Sequence, residues 1–159
     1  MSNRTWLGAV YEDHRAGLFQ AAWTVLRRSD LAEDAVHSAF VKLARLASPP
    51  EDPKLFVFRA VRNAAIDLAR MRARRREEPL PADWDPPTAE SSEAEAQSSL
   101  AALIDGLDSP SREVVELHLH GALTFREISQ LLAEPLATVA SRYRRALEKL
   151  GNQLKVRHE

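Results

Sequence analysis

Residues 124–146 read Thr-Phe-Arg-Glu-Ile-Ser-Gln-Leu-Leu-Ala-Glu-Pro-Leu-Ala-Thr-Val-Ala-Ser-Arg-Tyr-Arg-Arg-Ala, and they decide the fold of the C-terminal part of the chain. Thr124 followed by Glu127 predicts a capping box, in which the hydroxyl accepts a hydrogen bond from an unpaired amide and the carboxylate reaches back. Pro135 is well placed to begin a second, longer helix. A short capped helix, a tight turn and a longer arginine-bearing helix are typical of a helix-turn-helix, whose second helix enters the major groove.

The second helix of this pair has one face suited to DNA. Its predicted buried side carries Val139, Tyr143 and Leu147. The opposite face carries small or charged side chains, which are Ala137, Ala140, Ser141, Arg144 and Glu148. Small residues beside an arginine let a helix approach base edges closely. An ordinary helical hairpin with solvated charges would fit the same spacing.

Composition extends the helical prediction to the rest of the chain. The 159 residues include 25 alanines and 21 leucines but only 10 valines and 3 isoleucines, and alanine and leucine favour helices whereas β-branched residues favour strands. The absence of cysteine excludes a disulfide scaffold, a thiolate metal site and a cysteine nucleophile. No stretch approaches the roughly 20 apolar residues of a membrane span, and the N-terminus lacks a secretory signal. We therefore expect an all-α, cytoplasmic protein without membrane insertion.

Charge divides the chain into three segments. Residues 1–76 carry 14 basic and 8 acidic side chains, residues 77–99 carry 7 acidic and no basic ones, and residues 100–159 carry 8 of each, so the net charge of -1 conceals an asymmetry. Four of the nine prolines lie in the acidic segment, and proline interrupts helices. The pattern predicts two small helical domains joined by an acidic, proline-rich linker: an N-terminal helical bundle at 1–76, the linker at 77–94 and a helix-turn-helix domain at 95–159.

Apolar residues at helical spacing predict three helices in the N-terminal domain. Ser29 or Asp30 is placed to cap the second of them. We expect its buried stripe at Val36, Phe40, Leu43 and Ala47. The third helix is expected to begin at about Pro53, a residue type that suits the first helical turn.

The third helix ends in a basic cluster, with five arginines among residues 70–76. Arg59 and Arg62 lie on a face that leads into this cluster, and such a strip can neutralise phosphates. A solvated helix end favoured by the helix dipole is the alternative. Phe56 and Phe58 are two residues apart, so we expect one to face the core and the other to face solvent.

Two other classes of protein fit the sequence less well. An enzyme would have to use His118 and His120, but residues two apart on a helix diverge by about 200° and cannot share a ligand. The sequence also has no serine nucleophile elbow and no glycine-rich phosphate loop, so no catalytic residue, metal or cofactor is predicted. A stand-alone dimeric helix-turn-helix regulator would explain residues 124–150 but not the basic strip or the acidic linker.

In the C-terminal domain, Gly121 is expected to end a helix in the left-handed conformation.

Three stretches resemble, in the same order, segments of the bacterial RNA polymerase sigma factors of the extracytoplasmic-function (ECF) type. Residues 30–43, Asp-Leu-Ala-Glu-Asp-Ala-Val-His-Ser-Ala-Phe-Val-Lys-Leu, resemble the helix by which these proteins bind RNA polymerase. Residues 56–68 and the arginines after them resemble the helix that reads the minus-ten element and melts the promoter. Residues 127–146 resemble the helix-turn-helix that reads the minus-thirty-five element. The resemblance implies a sigma factor that binds core polymerase and directs promoter recognition, DNA melting and transcription initiation.

The resemblance also implies roles for particular residues. Contacts with the clamp helices of core RNA polymerase fall on Asp30, Glu33, Asp34, His37 and Lys42. Contacts with the minus-ten element and the melted strand fall on Phe56, Arg59, Arg62, Asn63, Arg70 and Arg74. Contacts with the minus-thirty-five element fall on Thr138, Ala140, Ser141, Arg142, Arg144 and Arg145. The implied partners are core RNA polymerase, promoter DNA and an anti-sigma factor that clamps both halves, and no cofactor is implied.

Four residues near the turn depart from the pattern of this family. Ala133 and Ala137 stand where glycine is usual, Glu134 stands where an apolar residue is usual, and Ser129 stands where alanine is usual. If residue 133 is left-handed, alanine costs on the order of 1 kcal/mol there. We therefore expect a looser turn or an altered docking angle.

Overall fold

The computed structural model describes residues 3–75 and 94–158, and every regular element within these ranges is an α-helix. The helices of the N-terminal half are α1 (Asn3–Leu26), α2 (Ser29–Leu43) and α3 (Pro53–Arg75). Those of the C-terminal half are α4 (Ala94–Asp105), α5 (Ser109–Leu119), α6 (Phe125–Leu132) and α7 (Leu136–His158). The all-helical prediction is confirmed. Except for Ala94, the predicted linker lies outside the described residues.

Helices α1, α2 and α3 form a bundle in which each helix packs against the other two. Of the four residues predicted for the buried stripe of α2, Leu43 is buried and the other three are not. The side that faces the core carries three alanines between two leucines, which are Leu31, Ala32, Ala35, Ala39 and Leu43. Alanines let neighbouring helix axes approach, so the larger Val36 and Phe40 lie at the flank, half-buried, and Ala47 is exposed.

The predicted start of α3 is confirmed, whereas that of α2 needs correction. Asp52 accepts a hydrogen bond from the amide of Leu55 at 3.3 Å, just before Pro53 opens α3. In α2 the capping position is Arg28, and no side chain caps the helix there. Ser29 and Asp30 already lie within the helix, so neither of them caps it.

The C-terminal half has two local features that sequence spacing placed wrongly. Gly121 has a negative φ, and the next residue, Ala122, takes the left-handed conformation with φ of 55°. A Cβ at Gly121 would lie 2.5 Å from the carbonyl oxygen of Leu117, so close approach to backbone explains this glycine. On α7, Leu147 is 44% exposed, because the buried line runs through Val139, Tyr143, Ala146 and Leu150.

The two halves share one hydrophobic core. Its fully buried members include Leu18 of α1 and Phe58 of α3 together with Val114 of α5, Ile128 of α6 and Val139 of α7. A second, smaller core lies within the C-terminal half alone, between α4, α5 and α7. The domain boundaries stay a prediction, and in the closed arrangement seen here the predicted domains pack as one body.

The backbones of the two halves approach closely at a glycine pair where α1 meets the end of α5. A Cβ built on Gly17 would lie 2.9 Å from the Cα of Gly121 and 3.2 Å from the ring of Phe58. Such distances leave no room for a side chain, and the obstacle at Gly121 is backbone. The crossing of the two halves therefore depends on the absence of a side chain at Gly17.

Within the described ranges, no helix is long and apolar enough to cross a membrane.

We expect Gly17→Ala and Gly8→Ala to change stability in opposite directions. Both glycines lie inside α1, where alanine is favoured over glycine by roughly 0.5–1 kcal/mol. A Cβ at Gly8 meets nothing within 4 Å, whereas one at Gly17 collides with the backbone of Gly121. Chemical denaturation should show a higher free energy of unfolding for Gly8→Ala and a lower one for Gly17→Ala. Equal stabilisation by both changes would contradict the close crossing.

Candidate nucleic-acid interface

The helix-turn-helix opens with the predicted capping box. The hydroxyl of Thr124 accepts a hydrogen bond from the amide of Glu127 at 3.1 Å, and the Glu127 carboxylate accepts one from the amide of Thr124 at 3.0 Å. Lys54 of α3 lies 3.4 Å from the same carboxylate oxygen. Burial alone would raise the pKa of Glu127, but the hydrogen bond from Thr124 and the charge of Lys54 outweigh it and lower that pKa.

The turn between α6 and α7 is held by side chains at the positions that depart from the family pattern. Ala133 is left-handed, with φ of 55° and ψ of 44°, which is the conformation that favours glycine. The Ser129 hydroxyl donates to the carbonyl of Glu134 at 2.6 Å, and the amide of Glu134 donates to the carbonyl of Ser129 at 3.1 Å. These bonds close the turn despite the alanine.

Arg142 of α7 is also part of this turn. Its guanidinium lies 3.4 Å from the carboxylate of Glu134, and its side chain is 22% exposed. Among the predicted minus-thirty-five residues, Arg142 therefore pairs with a carboxylate of its own domain. The departure at Glu134 thus gives Arg142 an acidic partner within the turn.

The remaining predicted residues of α7 lie on its outer surface. Arg144 and Arg145 are exposed, and Thr138, Ala140 and Ser141 are half-buried. The three small side chains lie within the first two turns of the helix, where a recognition helix meets base edges. Their arrangement fits close approach to a groove, with Arg144 as the long donor beside them.

An aromatic cluster that sequence spacing did not identify braces this pair of helices. The ring of His118 lies 4.7 Å from that of Phe125 and 4.9 Å from that of Tyr143, and Phe125 and Tyr143 are 5.0 Å apart. A ring nitrogen of His118 lies 2.9 Å from the carbonyl oxygen of Leu123. Histidine at this position is a packing residue of the helix-turn-helix.

Helix α3 presents the predicted minus-ten residues on one exposed face, with one exception. Phe56 is 37% exposed whereas Phe58 is fully buried, so the prediction that they point apart is confirmed. The other exposed residues on the Phe56 side are Arg59, Asn63, Arg70 and Arg74, which follow the spacing of one helix face. Arg76 lies outside the described residues.

Arg62 is the exception, because it lies at the edge of this face and pairs with the C-terminal half. Its Nε lies 2.5 Å from the Glu113 carboxylate of α5, and the two side chains are 22% and 17% exposed. No feature of the sequence pairs these residues, which are 51 positions apart.

Helix α2 presents the predicted polymerase-binding residues to solvent. Asp30, Glu33, Asp34, His37 and Lys42 are all exposed, and the first four share one face, with Lys42 to one side of it. Two of them, Glu33 and His37, border a cavity of about 680 Å³ between α1 and α2. Its apolar lining is formed by Tyr11, Phe19, Val36 and Phe40.

The described residues contain no group of histidines and carboxylates able to hold a metal ion. His118 packs in the aromatic cluster, and His120 instead lies against the carboxylate of Glu116. These separate partners agree with the predicted divergence of the two histidines.

Comparison with known proteins assigns both halves to one family. Residues 10–76 match the family model described as Sigma-70 region 2, and residues 97–150 match the one described as Sigma-70, region 4. ECF RNA polymerase sigma factor SigK of Mycobacterium ulcerans is 28% identical over 92% of this chain and 84% of its own length. ECF RNA polymerase sigma factor SigE of Mycolicibacterium smegmatis is 28% identical over 91% of this chain and 60% of its own length.

Solved structures share the fold across both halves. CnrH, determined in complex with the cytosolic domain of CnrY, has a TM-score of 0.66 and 23% identity, with 94% of this chain and 88% of that chain covered. The sigma factor RpoE from Bartonella quintana, determined with the anti-sigma factor NepR, has a TM-score of 0.67 and 19% identity, with 96% of each chain covered.

Restoring glycine at the two departures in the turn should have opposite effects. Ala133→Gly relieves a left-handed alanine, so we expect the free energy of unfolding to rise by on the order of 1 kcal/mol. Ala137 lies in the first turn of α7, so Ala137→Gly should lower it by up to about 1 kcal/mol. Urea denaturation of both variants tests this, and stabilisation by both would refute it.

Acid should weaken the capping box through Glu127. A carboxylate whose folded pKa is lowered adds stability above its unfolded pKa of about 4.3 and loses it as pH falls through the folded value. Glu127→Gln keeps a residue that suits a capping box but cannot titrate. We expect wild type to be more stable than Glu127→Gln at pH 7 and this difference to shrink near pH 3.

The exposed Glu12 on α1 provides the matched control, because Glu12→Gln makes the same charge change outside the capping box. Thermal unfolding at a series of pH values measures all three proteins. A difference between wild type and Glu127→Gln that is independent of pH would show that the charge of Glu127 is irrelevant.

Proposed function

This chain belongs to the sigma-70 family, as a sigma factor of the ECF type that directs transcription initiation, and we propose how its two halves divide that work. The N-terminal half binds core RNA polymerase through α2 and engages the minus-ten element through α3. The C-terminal half binds the minus-thirty-five element through α7. We place the boundaries at residues 1–76 and 95–159, with 77–94 as the connection.

The observation that carries this proposal is that one chain presents two separate faces suited to DNA. One is the arginine-bearing face of α3 with the exposed ring of Phe56, and the other is the outer face of α7 with Arg144. An exposed aromatic ring can stack on an unpaired base, and a helix with small side chains suits a groove. A stand-alone helix-turn-helix regulator would leave the α3 face without a role.

Melting requires a supply of free energy from binding. Extruding a base costs a few kcal/mol, and the strip of Arg59, Arg70 and Arg74 gains affinity by releasing counterions from phosphates. Contacts of α2 with the polymerase clamp helices add to the same total. We therefore infer that opening requires the holoenzyme and that the free chain does not open duplex DNA.

Further partners and the compartment follow from the family. CnrH and RpoE were determined with CnrY and the anti-sigma factor NepR, and we propose that this chain is likewise held by an anti-sigma factor. We also propose a cytoplasmic location, because the proposed partners, core RNA polymerase and the promoter, are found there. The matched family is not a class of enzymes, and we propose no catalysis and no cofactor.

Run-off transcription tests the proposed function directly. Core polymerase should initiate from a subset of a randomised promoter library only when this chain is added. The selected templates should carry two conserved elements with fixed spacing, since two faces of one chain read them. Initiation that is the same with and without the chain would overturn the proposal.

We expect Arg144→Ala to change which upstream element is selected. Losing a base-edge contact costs about 1–3 kcal/mol at the position it reads. Lys155→Ala, on the exposed surface three turns further along α7, should lower promoter use evenly across sequences or leave it unchanged. Sequencing of the selected promoters measures both, and an unaltered upstream preference in Arg144→Ala would remove this residue from the reading face.

A further inference from the structure

We propose that the free chain inhibits itself: the C-terminal half covers the edge of the minus-ten face, and Glu113 occupies Arg62 in place of a DNA phosphate. The inference rests on the proposed role of α3. It adds a closed state of this chain, formed without any other protein, that must open before Arg62 can join the exposed residues of the minus-ten face in binding DNA.

The first support is the polarity of the ion pairs that join the halves. Three such pairs are present among the described residues, and in each the cation comes from the N-terminal half and the carboxylate from the C-terminal half. They are Arg27–Asp105, Lys54–Glu127 and Arg62–Glu113. The N-terminal half is the part with an excess of basic residues. Carboxylates of the C-terminal half thus neutralise cations of the more basic half, and one of these cations, Arg62, borders the face proposed to bind DNA.

The second support is the position of Glu113. Arg62 lies at the edge of the exposed α3 face, on the side where α5 approaches, and the contact is 2.5 Å long and mostly shielded from solvent. Arginine binds carboxylate and phosphate with the same donor geometry. A phosphate that binds this guanidinium must therefore compete with Glu113.

The third support is that apolar packing and ion pairs hold the same surfaces together. Phe58 of α3 is fully buried in the core that also contains Leu117 and Ile128 of the C-terminal half. Opening must separate these surfaces, so the closed form is favoured until a partner compensates. When only a fraction of the protein is in the open, binding-competent state, the apparent affinity for DNA is reduced in proportion to that fraction.

The Arg62–Glu113 ion pair, called the latch below, can be weakened without changing any residue predicted to contact DNA. Glu113→Gln preserves size but removes the charge that holds Arg62, and Glu12→Gln is its charge-matched control. We expect the free full-length Glu113→Gln protein to bind a fluorescein-labelled single-stranded DNA of randomised sequence at least about threefold more tightly than wild type at low salt. Glu12→Gln should bind as wild type does, and the gain should shrink as salt rises.

Closure itself can be measured independently of DNA. The chain has no cysteine, so Arg27→Cys/Asp105→Cys introduces the only thiols, one on each half. A short bifunctional thiol reagent should join them efficiently in the free protein. Glu113→Arg or Arg62→Glu should lower the cross-linked yield, and the combined swap Arg62→Glu/Glu113→Arg should restore it.

Steric opening provides a second route that does not alter charge. Gly17→Ala should lower the cross-linked yield and raise DNA binding, while Gly8→Ala should leave both unchanged. If cross-linking and DNA binding were unchanged in both Glu113→Gln and Gly17→Ala, the proposal that the closed state inhibits DNA binding would be wrong. Wild-type run-off transcription is scored separately: initiation with no latch effect refutes only self-inhibition, and a latch effect without initiation refutes only the proposed function.

Discussion

The crossing of α1 with the end of α5 at Gly17 and Gly121 is the constraint on which the rest of the arrangement depends. Two backbones meet there without an intervening side chain, and the ring of Phe58 lies against the same point. This contact brings α6 to the start of α3 and α5 to its side, so that Lys54 and Arg62 face carboxylates of the other half. The mutual neutralisation of the halves is therefore a consequence of helix packing as much as of charge.

This packing also explains why overall composition says so little about the partner of the chain. A net charge of -1 would ordinarily argue against binding a polyanion. The charge is instead segregated, and in the structure carboxylates of the C-terminal half pair with some of the cations of the N-terminal half. Surface electrostatics of the closed form thus understate the attraction that the α3 face can exert once Arg62 is released from Glu113. Affinity for DNA becomes a property of conformation, in addition to a property of sequence.

Local features were predictable from the sequence because their partners lie within a few residues. The capping box at Thr124 and the opposite orientations of Phe56 and Phe58 follow from helix geometry and hydrogen bonding alone. A left-handed backbone at Ala133 was suggested by the glycine that the family usually has at this position. Long-range features were not predictable, because periodicity specifies a face without specifying what covers it. The DNA-facing and polymerase-facing residues share faces as expected, but their contacts with partners stay predictions.

The errors of the sequence-based predictions have the same origin. In α2 the larger apolar side chains suggested the buried side, whereas close packing selected the alanines around Ala35. Gly121 was expected to supply a left-handed backbone, whereas the main chain of Leu117, at the end of the preceding helix, is what excludes a side chain there. The turn after α6 shows a further consequence. Ser129 binds the main-chain carbonyl of Glu134, whereas the Glu134 carboxylate pairs with Arg142. Substitutions at Glu134 and Arg142 should therefore be epistatic, and evolution between this turn and a glycine-based one would pass through coordinated replacements at these two positions.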